Sequence, residues 1–127
     1  MATNLDAMIN RIGFEIVEEI KKKGKDEAKY KNEIEKVLGV LSNDGVYAYY
    51  VYVKSKKIED VFLEKIKGIL EYIDIKDNNE NSFNELNQEF FETLSENLSD
   101  LLFFREILEK ILIYARYHSK AMGEVNE

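Results

Sequence analysis

Apolar residues recur every three or four positions along almost the whole chain, the spacing of helices that bury one face. Leu5, Met8, Ile9, Ile12, Ile16 and Ile20 form a first stripe, widened by Phe14 and Val17. Lys21, Lys22 and Lys23 follow where cations meet the negative end of a helix dipole, and Gly24 is a natural stop. Tyr30, Ile34, Val37, Leu38 and Leu41 make a second stripe. It ends at the break Ser42-Asn43-Asp44-Gly45, where Asn43 or Asp44 can cap the next element. A later stripe runs through Ile58, Val61, Phe62, Ile66, Ile69, Leu70 and Ile73, and the segment from Asp74 to Asn81 is a polar loop. Ser82 and Glu85 have the spacing of a capping box and predict a helix through Phe83, Leu86, Phe90, Leu94 and Leu98. Ser99 or Asp100 then caps a last helix with Leu101, Phe104, Leu108, Ile111, Ala115 and Met122 inward.

One run is ambiguous. Val46 to Val53, VYAYYVYV, is β-branched and aromatic, so propensity alone favours a strand. A lone strand with no second strand in the chain would have nothing to pair with. Agreement with the helical remainder therefore predicts a buried helix over about 45 to 56. The pattern as a whole predicts an all-α, single-domain bundle of about six helices spanning residues 1 to 127, without internal repeats.

Composition narrows the chemistry. At 127 residues, with 45% apolar and 34% charged side chains, the chain can bury one core. The absence of Cys removes disulfides, thiolate metal sites and cysteine nucleophiles, and fits a reducing cytoplasm. His118 is the single histidine, so imidazole-rich zinc sites and most general-base schemes are excluded; flanked by Tyr114, Tyr117 and Met122, it reads as a surface or boundary residue. The six glycines are scattered singly and build neither a phosphate-cradling loop nor a dinucleotide fingerprint. No segment approaches the ~18 to 20 apolar residues of a membrane span. The expectation is a cytoplasmic, non-catalytic protein with no cofactor, no metal and no membrane association.

Charge is unevenly spread. The chain carries a net charge of -7. Residues 1 to 63 hold 11 basic and 11 acidic side chains, whereas Glu71 to Asp100 holds nine acidic residues against Lys76 alone. A mildly basic segment follows, with Arg105, Lys110, Arg116 and Lys120 against Glu106 and Glu109. Arg116 and Lys120 are four apart and share a helix face, and Arg105 falls within about 20° of it, while Lys110 lies about 140° from Arg105. Tyr47, Tyr49, Tyr50 and Tyr52 cannot all enter one core from one helix, so some must meet another helix, a partner subunit or a base. Lys54, Lys56 and Lys57 stand directly beside them, suited to the helix dipole or to a phosphate backbone.

The block YKNEIEKVLGVLSNDGVYAYYVYVKSKK, an acidic middle, and the block LLFFREILEKILIYARYHSKAMGE together resemble the small subunit of the Cmr effector complex, the type III-B CRISPR–Cas ribonucleoprotein. The small subunit of the related Csm complex, a similarly helical protein, is the nearby alternative. The elements that carry the likeness are Tyr30, the turn at Ser42 to Gly45, Lys54, Arg105 and the run Tyr114 to Met122. The resemblance implies a non-catalytic helical subunit that stacks along the complex beside other effector subunits and lines the channel of guide and target RNA. On that reading Lys54, Lys56 and Lys57 form one RNA-contacting group and Arg105, Arg116 and Lys120 a second. A small helical adaptor or homodimer, binding only protein through its Tyr surface, is the alternative.

Overall fold

Helix α1, Ala2–Lys21, buries Met8, Ile9, Ile12, Ile16, Val17 and Ile20 as one continuous stripe. Its main neighbour is the C-terminal helix, described below as α6. The computed structural model describes residues 2 to 125, and side-chain exposure within it covers residues 4 to 123. A 3-10 turn, Gly24–Asp26, with Gly24 in the left-handed region at φ 61°, carries the chain into α2, Glu27–Asp44. Helix α2 buries Tyr30, Ile34, Val37, Leu38 and Leu41, and with them Glu33. Ser42, Asn43 and Asp44 remain inside α2, so the break narrows to Gly45 alone. Gly45 sits at φ 97°, a backbone conformation that costs glycine little, and it makes no side-chain cap.

The ambiguous run is helical. Helix α3, Val46–Lys56, buries Val46, Tyr49, Tyr50 and Val53, a spacing of three and four. A strand would have turned alternate residues inward instead. Burial of these large side chains, each contributing about 1.5 to 3 kcal/mol, outweighs a β-propensity scale that spans about 1 kcal/mol. Among the described residues there is no strand, only an isolated antiparallel bridge between Lys76 and Ser82. Helix α3 ends with Lys57 in the left-handed conformation, φ 59°, its N–H donating to the Lys54 carbonyl and that of Ile58 to the Val53 carbonyl.

The stripe from Ile58 to Ile73 departs from the expected single helix. It divides into a short α4, Glu59–Phe62, and a 3-10 helix, Glu64–Tyr72. Buried Leu63, Ile66 and Ile69 repeat every three residues, the period at which 3-10 side chains eclipse. The following loop is tied by Asp77, whose Oδ1 accepts from the N–H groups of Asn79 and Asn81 at 2.9 Å each. The capping box at Ser82 and Glu85 is a correction. Ser82 lies in the isolated bridge, and the next helix, α5, starts later at Gln88–Ser95. Its cap is Asn87, whose Oδ1 accepts from the Phe90 N–H at 2.9 Å. Likewise the cap of α6, Leu98–Val125, is neither Ser99 nor Asp100: the Asn97 side chain accepts from the Asp100 N–H at 3.2 Å.

Among the described residues six α-helices form an all-α bundle, as the pattern predicts. Helix α6 packs along both α1 and α2, and α5 closes the end near α3. There Tyr50 stacks on Phe91 at 4.7 Å between ring centroids, while Phe90 and Phe91 both meet Phe104. Gly13 sets the approach of α1 to α6: a Cβ there would lie 2.9 Å from Tyr114 Cβ and 3.1 Å from the Ile111 carbonyl oxygen.

Candidate nucleic-acid interface

The C-terminal half of α6 runs alongside α2, and the groove between them collects cations from both. Arg116 and Lys120, one turn apart on α6, face Lys31 and Glu35, one turn apart on α2. Together with Ser119 they line a cleft of about 150 Å³. Three cations against one carboxylate make it positive, in a chain whose net charge is -7. Arg116 is only partly exposed, and its Nη1 lies 3.6 Å from Glu35 Oε1, close enough for charge attraction and too far for a normal hydrogen bond. Its Nε is shut off from solvent with no acceptor in reach. The Arg116 guanidinium carbon also sits 5.6 Å from the centroid of the Tyr117 ring. A narrower cleft of about 20 Å³ shares Lys31 and Ser119 and continues towards Lys21 on α1.

The other predicted cations go elsewhere. Arg105 turns towards the C-terminal end of α2, where its guanidinium donates to the Ser42 carbonyl at 2.8 Å. That contact places a cation on an otherwise unpaired terminal carbonyl at the negative end of the α2 dipole. Ser42 in turn donates its hydroxyl to Glu109 at 3.0 Å. Arg105 therefore shares the helix register of Arg116 without sharing its cleft; the eleven-residue separation is about 16 Å along the axis. Lys54, Lys56 and Lys57 stand exposed at the end of α3. Lys54 pairs with Glu59 at 3.3 Å, and Lys56 lies 5.6 Å from the centroid of the Tyr52 ring. Helix α3 packs on α2, α4 and α5, and none of these three lysines lines the α2–α6 cleft.

The tyrosines divide by depth. Tyr49 is wholly buried, and its hydroxyl donates to the Phe62 carbonyl at 2.7 Å; burial raises its pKa. Tyr50 enters the core as well. Tyr52 is half-buried and donates to Glu33 at 2.7 Å; burial first, and then that hydrogen bond, push its pKa to about 12. Tyr47 is the exposed one of the four, in contact with Gln88. The most exposed large apolar side chains are Leu98, Tyr117 and Leu102, all on α6, and Val51 on α3, Tyr114, Tyr72 and Phe14 are exposed as well. Away from the cleft, Lys23 just after α1, Asp60 on α4 and Tyr30 on α2 come together. The hydrogen bond to Asp60 is the main cause that raises the Lys23 pKa, while burial is the main cause for Tyr30.

His118 is half-buried, with Nε2 3.0 Å from Asn10 Oδ1 and its ring edge-on to Phe14 at 5.4 Å. It joins α6 to α1. Among the described residues no three His, Asp or Glu side chains group as metal ligands, and no helix is long and apolar enough to cross a membrane. Lys31 is the cleft residue that sequence reasoning misses. Its i,i+4 pairing with Glu35 is visible in the sequence, but nothing in that pattern says α2 lies beside α6. No family model, curated protein or solved structure matches the chain.

Proposed function

We propose that the chain is a non-catalytic small subunit of a type III CRISPR–Cas RNA-targeting ribonucleoprotein of the Cmr kind, stacked among other effector subunits with its α2–α6 side towards the guide and target RNA. The resemblance of its two sequence blocks suggests the assembly. The observation that carries the RNA role is the cleft that Lys31, Arg116 and Lys120 line together with Glu35. Cations so placed contact phosphates, which makes binding sequence-independent and salt-sensitive. Alone, a chain of net charge -7 binds RNA weakly; within a complex, fixed placement beside basic neighbours lets the same cations act. The test is target-RNA capture by the assembled complex carrying Arg116→Ala and Lys120→Ala, measured across a salt series. Capture weakens, and the salt slope falls by about one for each cation taken off a phosphate. Wild-type capture and slope, with assembly intact, refute the RNA role.

A second reading is a protein-only adaptor or homodimer. Leu98 at 68% exposure and Leu102 at 54%, one turn apart at the start of α6, favour it. If Leu98→Ser with Leu102→Ser dissolves a self-association seen by sedimentation while the cleft variants leave RNA capture unchanged, this reading replaces the first.

A further inference from the structure

The tyrosines of α3 are taken up by the fold: Tyr49 and Tyr50 enter the core, Tyr52 donates to Glu33 and Tyr47 meets Gln88. Open aromatic surface lies along the seam of α1 and α6 instead. The two helices approach closely at Gly13, and Phe14 and Tyr114 stand exposed beside that contact. His118 joins them, edge-on to Phe14 at 5.4 Å and 6.5 Å from the Tyr114 ring at an interplanar angle of 30°. Its Nε2 lies 3.0 Å from Asn10 Oδ1, which fixes the imidazole within the row. Tyr117 comes three residues after Tyr114 and is 58% exposed, with the Arg116 guanidinium carbon 5.6 Å from its ring centroid.

Area and charge decide what such a row holds. An aromatic side chain carries about 150 to 250 Å², so four rings averaging under half exposure offer roughly 300 to 450 Å². That is about half of the ~800 Å² per partner that a stable protein interface buries. It suits individual bases, each of which has a π-face to lay on a ring. Cations border the row on the α6 side. Lys110 precedes Tyr114 by one turn, and Arg116 and Lys120 flank Tyr117, against Glu106. On the α1 side Arg11 is paired with Glu15 at 3.9 Å, and Glu18 is exposed one turn beyond Phe14. A strand laid on the rings therefore keeps its phosphates over α6, next to the cleft.

We infer that Phe14, His118, Tyr114 and Tyr117 stack unpaired bases of an RNA strand whose phosphates follow the cationic side of α6. The inference rests on the ribonucleoprotein reading for the presence of RNA, and adds that the strand met here is single. Bases inside a duplex stack on one another and present only edges and backbone, whereas unpaired bases can splay onto aromatic side chains. Tyr114 and Tyr117 carry most of the contact; His118, held by Asn10, spaces Phe14 from Tyr114.

The test uses the full 127-residue chain at low salt and follows the ring-proton signals of Tyr114, Tyr117 and His118. The probes are a short single-stranded oligoadenylate, an abasic oligomer with the same number of phosphates, and the oligoadenylate paired with its complement. Oligoadenylate at up to millimolar concentration is expected to move the ring signals upfield and saturably, the ring-current signature of stacking. The abasic oligomer and the duplex leave them in place. Tyr114→Leu with Tyr117→Leu keeps apolar area, loses the π-faces and weakens oligoadenylate binding by about tenfold, while Tyr114→Phe with Tyr117→Phe stays within about twofold. Neither pair changes the salt slope, since no charge is removed. Should the double leucine variant prove poorly folded by circular dichroism, Tyr117→Leu alone takes its place and weakens binding by about threefold. No ring shifts with oligoadenylate, equal shifts with the abasic oligomer, or leucine variants that bind as wild type overturn the inference. Leucine variants that bind as wild type yet enter the assembled complex poorly assign the row to a protein partner and overturn it as well. The RNA role itself fails separately, because it is read from Arg116→Ala with Lys120→Ala through capture and salt slope, whatever the rings do.

Discussion

Gly13→Ala and Gly39→Ala are the same chemical change in the interiors of two helices, and the structure gives them opposite signs. In an exposed helix either substitution gains about 1 kcal/mol, because alanine loses less backbone freedom on folding. At Gly39 a new Cβ meets no heavy atom within 4 Å, so that gain survives, and the variant is expected to be more stable by about 0.5 to 1 kcal/mol. At Gly13 the new carbon lies 2.9 Å from Tyr114 Cβ, 3.1 Å from the Ala115 nitrogen and 3.1 Å from the Ile111 carbonyl oxygen. Comfortable carbon contacts are about 3.5 to 4.0 Å, so the overlap is more than half an ångström. All three contact atoms are α6 backbone or a Cβ fixed to it, so no rotamer change relieves them. Helix α6 must shift, at a typical overpacking cost of about 1 to 3 kcal/mol. Set against a propensity gain of about 1 kcal/mol, Gly13→Ala is expected to be destabilised by up to about 2 kcal/mol. The two variants then differ by about 2 kcal/mol, or roughly 6 to 10 °C in Tm for a chain of this length. Urea unfolding at 25 °C, followed by far-ultraviolet circular dichroism, measures both. Gly13→Ala at or above wild-type stability refutes the close contact of α1 and α6. The position has a further consequence. Tyr114 and Ala115 directly precede Arg116, so a shifted α6 moves that side chain relative to α2, and Gly13→Ala is expected to weaken target-RNA capture by the assembled complex.

Tyr49→Phe leaves the buried Phe62 carbonyl without its 2.7 Å donor and is expected to cost about 1 to 3 kcal/mol in urea unfolding. Asn87→Ala removes the cap of α5 at a cost of about 0.5 to 2 kcal/mol, whereas Ser82→Ala stays within about 0.5 kcal/mol; the reverse order in a thermal melt would restore the Ser82 capping box. Tyr30, Tyr49, Tyr52 and Lys23 all have native pKa values above their ordinary ones, so the folded state keeps protons that the unfolded chain releases. Their stabilisation is complete below about pH 10 and falls as pH rises through the native values, about 12 for Tyr52; Tyr52→Phe therefore shows a shallower loss of urea midpoint above pH 10 than wild type. Lys57→Gly relieves a left-handed lysine at φ 59° and is expected to gain about 0.5 to 1 kcal/mol in the same unfolding measurement.

The elements were legible where one periodicity had no competitor. The stripes of α1 and α2 bury the residues the spacing selects, except that Leu5 is only partly buried and Phe14 lies at the margin and meets His118. VYAYYVYV was decided by what the rest of the chain lacked, since a helix needs no partner for its hydrogen bonds and a strand does. Boundaries were less legible because caps depend on where the first helical residue falls. Ser82 and Glu85 match the capping pattern, yet the turn built on Asp77 and the bridge from Lys76 to Ser82 hold that segment extended. The 3-10 helix was written in Leu63, Ile66 and Ile69, a period of three nested inside a stripe that reads equally well as 3.6. In the site, Arg116 and Lys120 were legible because four residues make one turn. Lys31 was not, because helical spacing fixes which residues share a face and leaves open which helices are neighbours. The capture of Arg105 by Ser42 follows from the same gap: the α2 terminus lies beside α6 only in three dimensions.

The net charge misleads about the cleft because charge acts over a limited range. The acidic tract ends at Asp100 in the first turn of α6, and Arg116 lies about 24 Å further along the axis at 1.5 Å per residue. At 0.1 M salt the Debye length is about 10 Å, so the carboxylate at that end of the helix is largely screened at the cleft, while Lys31, Lys120 and Arg116 line the cleft itself. At 0.01 M salt the screening length grows to about 30 Å and the acidic tract is felt across the molecule. Two opposing salt effects result. Lower salt strengthens each phosphate contact, but it also extends repulsion from the nine carboxylates between Glu71 and Asp100. The weak RNA affinity of the isolated chain should therefore rise less steeply on dilution of salt than three cations alone would give. Neutralising Glu96 and Asp100 as amides should steepen that rise while leaving affinity at 0.15 M almost unchanged. A cleft governed by overall net charge would show the opposite, with the amide variant gaining affinity equally at every salt concentration.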